Sequence, residues 1–219
     1  MASSDQVLTN QFKFTESRSI VILSILYVVG ICGIKIPIHP DFILLTPINL
    51  LVSAAIVSYF DKNKTQDFLT LFTIVFLTGY LVEVIGVKTG VIFGSYAYGP
   101  VLGPKLFETP LSMGINWFIL IYGAGNLMNQ LSPQWPIALK ACIGAFTMIV
   151  LDFLIEPVAI HYNFWRWEND VIPVQNYIAW WIISVALLMV FFKILGKNTN
   201  KVAIALLVLQ LIFFGILNI

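Results

Sequence analysis

Seven stretches of apolar sequence, at about 19–36, 42–60, 67–86, 111–129, 136–160, 175–195 and 201–218, approach or exceed the roughly 20 residues a helix needs to cross a hydrocarbon core. No other feature restricts the fold as strongly, because in lipid every backbone donor and acceptor has to be satisfied inside the segment that spans it. The expected architecture is all-α, a polytopic membrane helical bundle with about seven transmembrane helices. No span repeats another and no linker is long enough to divide the chain, so residues 1–219 read as a single transmembrane helical domain. Pro47 and Asn49 interrupt the second span, and Gly123, Gly125 and Asn126 dilute the fourth.

Composition closes off several classes of function. Hydrophobic residues make up 59% of the chain and charged residues 11%, against roughly 25% charged in soluble domains. A net charge of +1 offers no electrostatic case for nucleic acid. Cys32 and Cys142 lie inside apolar runs, as small packing residues do. With His39 and His161 as the only imidazoles, the sequence argues against a metal site. The first apolar run follows a polar start with Lys13, Glu16 and Arg18 and lacks a small-residue cleavage pattern, so it reads as a retained span. Lys13, Arg18, Lys62, Lys64, Lys140, Lys193, Lys197 and Lys201 fall on the N-terminal side, and Lys35, Lys88, Lys105 and Arg166 on the other. This imbalance predicts a cytoplasmic N-terminus for an integral, multi-pass protein of a bacterial cytoplasmic membrane.

The segment from Gly94 to Pro110 breaks the oily pattern with two tyrosines, three glycines and three prolines. It can neither span a membrane nor continue a helix. Non-helical backbone at membrane level has to be packed in protein or line a cavity, which makes this loop a candidate site. Polar accents recur at 152–167 and 173–181. With seven spans, all three emerge on one leaflet.

Asp152 and Glu156, four residues apart, share a helix face in the fifth span. Ionisable groups in a span are costly and mark function by default. Two carboxyls this close in a poorly hydrated setting do not both ionise easily, and one that keeps its proton suits a general acid. A structural hydrogen-bonded pair is the competing reading. Pro157 predicts a kink or helix end beside the acid. Glu83 adds a third carboxyl, with Lys88 five residues on; reaching the interface is its competing reading. Asn116, Gln175 and Asn176 are suited to holding a water or orienting a carboxyl. Tyr96, Tyr98, Trp117, Tyr162, Trp165, Trp167, Tyr177, Trp180 and Trp181 crowd the same side. A belt of interfacial aromatics accounts for some of these. Paired with buried acids, aromatic faces also suit the protonation of an alkene and the sheltering of the carbocation.

At these residues the sequence resembles the carotenoid hydratases that act on linear carotenoid ends, small polytopic proteins grouped as carotenoid biosynthesis proteins. The resemblance rests on Tyr96-Ala-Tyr-Gly-Pro-Val-Leu-Gly-Pro-Lys-Leu106, Leu151-Asp-Phe-Leu-Ile-Glu-Pro-Val-Ala159, Trp165-Arg-Trp167 and Pro173-Val-Gln-Asn-Tyr-Ile-Ala-Trp180, and covers about 75–190. The stretch Leu111 to Trp117 departs from it, with Met113, Gly114 and Asn116 where a more apolar run is expected. The resemblance implies cofactor-independent hydration of the C1=C2 bond of an acyclic ψ end. It casts Asp152 or Glu156 as the acid, and the other carboxyl, with Glu83 or Asn176, as the group that positions water. Trp165, Trp167 or Tyr98 would stabilise the cation. Tyr96, Tyr98, Asn116, Trp165, Trp167, Gln175, Asn176 and Trp180 are the expected substrate-binding residues. The expected partners are a linear carotenoid, the lipid bilayer and other membrane enzymes of the carotenoid pathway.

Two other readings compete. A lycopene-type cyclase would use the same acid and close a ring instead of admitting water. A small proton-coupled transporter or lipid-soluble ligand binder would use the acids as a relay, but no inverted repeat is present.

Overall fold

The computed structural model of the chain describes residues 14–36, 39, 42–63, 65–197 and 199–219. Lys13 and Lys64, which figure in the charge reading above, lie outside the described residues. Seven helices occupy the seven apolar runs: α1 (Glu16–Lys35), α2 (Thr46–Tyr59), α3 (Thr65–Thr89), α4 (Ser112–Leu131), α5 (Ile137–His161), α6 (Val174–Leu195) and α7 (Lys201–Leu217). The chain is an all-α membrane protein with small β elements in its loops.

Polar residues set several helix ends. The Thr15 side chain accepts from Arg18 N at the start of α1. Asn200 accepts from Val202 N and Ala203 N at the start of α7, each meeting a backbone donor that the helix leaves unpaired. Pro47, expected to interrupt a span, instead lies in the first turn of α2, behind a 3-10 turn at Phe42–Leu45. There its missing N–H costs nothing. Pro157 neither ends α5 nor separates the acids, since the helix runs four residues beyond it to His161.

Among the described residues, five segments are long and apolar enough to cross a membrane: α1, the 3-10 turn with α2 (Phe42–Tyr59), α3, α5 and α6. α7, at 17 residues, is a shorter apolar helix. α4 is the centre of the bundle, packed against α2, α3, α5, α6 and α7. Of its 20 residues 15 are buried, which explains why glycines and asparagines dilute its hydropathy: they face protein. Gly125 lies under the Phe191 ring and Gly79 of α3 under Trp117, where an added Cβ would come within 2.5 Å in either case.

Two expectations need correction. Lys140, counted among the charges on the N-terminal side, is buried near the start of α5; it donates to Asn129 Oδ1 at 2.7 Å and lies over the Phe192 ring. Cys32, read as an internal packing residue, is exposed on the outside of the bundle.

Four short strands organise the loops: β1 (Tyr96–Tyr98), β2 (Lys105–Leu106), β3 (Thr109–Pro110) and β4 (Trp165–Trp167). β2 and β3 form a hairpin. β1 pairs antiparallel with β4, Tyr96 opposite Trp167 and Tyr98 opposite Trp165. The ribbon ties the loop after α3 to the loop after α5, and Gly99 N donates to Phe164 O at 2.8 Å to extend it. A Cβ on Gly99 would sit 1.8 Å from Asn163 O. Gly99→Ala is therefore expected to cost at least about 3 kcal/mol by forcing backbone from backbone, seen as a lowered melting temperature of the detergent-solubilised protein. An unshifted melting temperature would contradict this close approach.

Candidate active site

The alternation of a strand turns Tyr96 and Tyr98 to one face of the ribbon together with Trp165 and Trp167, and leaves Ala97 and Arg166 on the other. All four rings face carboxyls supplied by the helices beneath. The Tyr96 and Tyr98 hydroxyls donate to Glu83 Oε2 at 2.6 and 2.7 Å, and Trp117 Nε1 donates to Glu83 Oε1 at 2.9 Å. Trp165 and Trp167 donate their indole N–H groups to Glu156 Oε2 at 3.0 and 2.8 Å. Asn176 Nδ2 bridges the remaining pair, reaching Asp152 Oδ2 at 2.9 Å and Glu156 Oε1 at 3.3 Å. Glu83, Asp152 and Glu156 are each at most 3% exposed.

This donor pattern separates the three acids. A protonated carboxyl uses one oxygen as a donor, whereas an ionised one only accepts. Both oxygens of Glu83 and both of Glu156 are within hydrogen-bonding distance of protein donors. Among the described residues no donor reaches Asp152 Oδ1. Burial, and after it the negative charge of Glu83, pushes the Tyr96 and Tyr98 phenols well above their ordinary pKa. Both therefore remain protonated and able to donate.

Asp152, Glu156, Glu83, Tyr96, Tyr98, Trp165, Trp167, Asn176 and Trp180 all line one small cavity of about 20 Å³, with Phe93 and Met113. That is room for one water. Trp180 stacks on Trp117 with ring centroids 4.3 Å apart, closing one side. Beside it lies an apolar cavity of about 310 Å³ between α1, α2, α4 and α7, which shares Met113 and Trp165 with the small one. It falls at the lower end of the roughly 300–1,000 Å³ typical of ligand pockets.

Two expected binding residues are not gathered with the acids. Asn116 lines the large cavity instead of the small one. Gln175 is exposed and donates to the carbonyls of Val91 and Ile92, clamping the loop after α3 to the start of α6. Each neighbours a residue that does join the cluster, and consecutive helical residues point about 100° apart. Lys88 is no partner for Glu83; it lies over the Phe107 ring. Tyr162, Tyr177 and Trp181 stay outside the cavity lining. The sequence reading left Phe93, Met113 and the Trp117 donor out of the site, and the period-two patterns Tyr-Ala-Tyr and Trp-Arg-Trp were the available sign of the ribbon.

Comparison with known proteins fits this arrangement. Residues 42–219 match the profile of the family described as carotenoid biosynthesis protein. Over 125 residues the chain is 30% identical to bisanhydrobacterioruberin hydratase of Haloarcula japonica. The aligned part covers 53% of this chain and 42% of that protein, less than half of the relative's length. No solved structure matches the chain. Because the profile extends over most of the sequence and includes every residue of the acid cluster, the chain belongs to the carotenoid biosynthesis protein family.

Proposed function

We propose that the chain is an enzyme that hydrates the terminal C1=C2 double bond of an acyclic carotenoid end. The observation that carries this reading is the single-water cavity lined by Glu83, Asp152, Glu156, Asn176 and six aromatic rings, beside an apolar cavity with which it shares Met113 and Trp165. The acyclic end enters from the 310 Å³ cavity past Met113 and Trp165. Asp152 acts as the acid, its proton on Oδ1, the oxygen that no protein donor occupies. Transfer of that proton to C2 breaks the π bond and leaves a tertiary cation at C1.

The cation then faces Trp165, Trp167 and Tyr98, whose ring faces offer about 2 kcal/mol or more each in a dry site. The carboxylates of Glu83 and Glu156 add favourable charge. Water beside Glu156 and Asn176 donates a lone pair to C1, and its surplus proton passes to the Glu156 carboxylate. Asn176 holds Asp152 and Glu156 side by side, which provides for return of the proton to Asp152. The sum is addition of H to C2 and OH to C1, with no change in oxidation state.

The same reading takes all seven helices as crossings of one domain, with the N-terminus cytoplasmic. α4 would cross inside a sleeve of the other helices and so need not be as apolar as they are. Other membrane enzymes of the carotenoid pathway would supply the substrate.

Expression in a host that accumulates a linear carotenoid hydrocarbon tests the reaction. The expected pigments gain the mass of one water per end modified. Pigments of unchanged mass with a shifted absorption spectrum would assign the cyclase reaction instead, and unaltered pigments accompanied by proton-coupled uptake into vesicles would assign transport.

A further inference from the structure

The 310 Å³ cavity is closed towards the loops and open at its side. At its loop end Phe42, in the 3-10 turn before α2, lies on Gly33 of α1, where an added Cβ would come within 2.3 Å of the ring. Leu102 and Phe164, both buried, continue that roof. Further from the loops, Val29 of α1 and Ile48 and Val52 of α2 line the cavity, yet each is between 39% and 56% exposed. A side chain that lines a cavity and stays this exposed stands at its rim. α1 packs mainly against α7 and α2 mainly against α4, so little closes the seam between α1 and α2. Both helices belong to segments apolar enough to cross a membrane. A rim of valine and isoleucine at that level faces acyl chains and not water.

Size decides what the cavity can take. At the roughly 30 Å³ that one water occupies in the liquid, 310 Å³ holds about ten non-hydrogen atoms, or two isoprene units. The acids lie outside this cavity, behind Met113 and Trp165, the two residues that line both it and the small one. Trp165 is fixed by its bond to Glu156, whereas Met113 is unbranched and turns readily. A longer chain whose end lies against that boundary has an outlet for the rest of its length at the seam.

We propose that the seam between α1 and α2 is a lateral portal for a long acyclic isoprenoid. About two isoprene units of one end lie in the cavity, and the remainder stays among the acyl chains of the bilayer. This rests on the hydratase reading of the acid cluster. The enzyme then recognises an end and not a length, and a molecule with two such ends is hydrated in two separate visits.

The test places tryptophan at the rim. The full chain, in bilayer vesicles, receives a linear carotenoid hydrocarbon together with citronellene, an acyclic hydrocarbon of two isoprene units with the same dimethyl-substituted alkene end. Hydrated products are separated by mass. Ile48→Trp and Val52→Trp are compared with Leu51→Trp, since Leu51 is exposed on the same helix without lining the cavity. Citronellene is short enough to lie wholly inside, so the ratio of carotenoid to citronellene hydration reports on the portal. The ratio is internal to each preparation and does not depend on how much folded protein a variant yields. The expected result is a ratio at least about tenfold lower in Ile48→Trp and Val52→Trp, and unchanged in Leu51→Trp. A ratio that stays at the parent value in both rim variants, an equal fall in Leu51→Trp, or equal loss of both probes at the rim overturns the portal and leaves the hydratase reading standing. So does hydration of only one of the two probes by the parent chain. If the parent hydrates neither, the hydratase reading fails and the portal with it.

Discussion

Asp152→Asn is expected to leave the protein folded in the membrane and to lower the rate of product formation by about 10²–10⁴-fold, the contribution of a well-placed general acid. The amide oxygen of asparagine can still accept from Asn176, so the bridge between α5 and α6 survives. What is lost is the proton on the oxygen that faces the cavity. Glu156→Gln should also lose activity, but by a different route. Its Oε2 accepts from two indoles and its Oε1 from Asn176, so an amide there leaves one side without an acceptor and loosens the ribbon as well. Product yield, normalised to protein in the membrane fraction, separates the two cases. Full activity in Asp152→Asn would remove Asp152 from the role of acid.

Glu83→Gln is expected to be the most destabilising of the conservative acid substitutions. Three donors converge on Glu83, from Tyr96, Tyr98 and Trp117, and an amide offers an acceptor on one side only. Turned one way, its NH₂ faces the indole N–H, which cannot accept; turned the other, it faces two phenols, whose own protons then lose their acceptor in a buried site. An unpaired buried donor costs about 1–3 kcal/mol, and two such groups amount to about 3 kcal/mol, a fall of roughly 10 °C in melting temperature for a chain of this size. The effect should reach the active site, because the same tyrosines form the face of the ribbon opposite Trp165 and Trp167. A variant that melts with the parent protein would show that the three donors do not depend on Glu83.

The course of the helices was legible because each apolar run is long, and lipid leaves the backbone no other way to pair. Every observed helix falls within a few residues of its expected place. The two spans that looked weakest looked so for reasons that packing reverses. Pro47 starts a helix instead of breaking one, and the glycines of α4 mark the most enclosed helix of the bundle. The pairing of Asp152 with Glu156 was legible from helical spacing alone. The surroundings of Glu83 were not, because its donors lie 13, 15 and 34 residues away in sequence: two arrive on a ribbon of three-residue strands too short to register as strands, and the third on α4. Asn116 and Gln175 were misplaced for a simpler reason: adjacency to Trp117 and Asn176 along the chain does not put a side chain on the same helix face.

Hydration by solvent water at a carboxyl-protonated alkene is tested most directly with labelled oxygen. Membranes carrying the chain are supplied with an acyclic carotenoid in water enriched in the heavy oxygen isotope. The account predicts a tertiary alcohol that carries the label in its new hydroxyl, formed about 10²–10⁴-fold more slowly by membranes carrying Asp152→Asn. A product whose added oxygen is unlabelled, or one of unchanged mass, would contradict it.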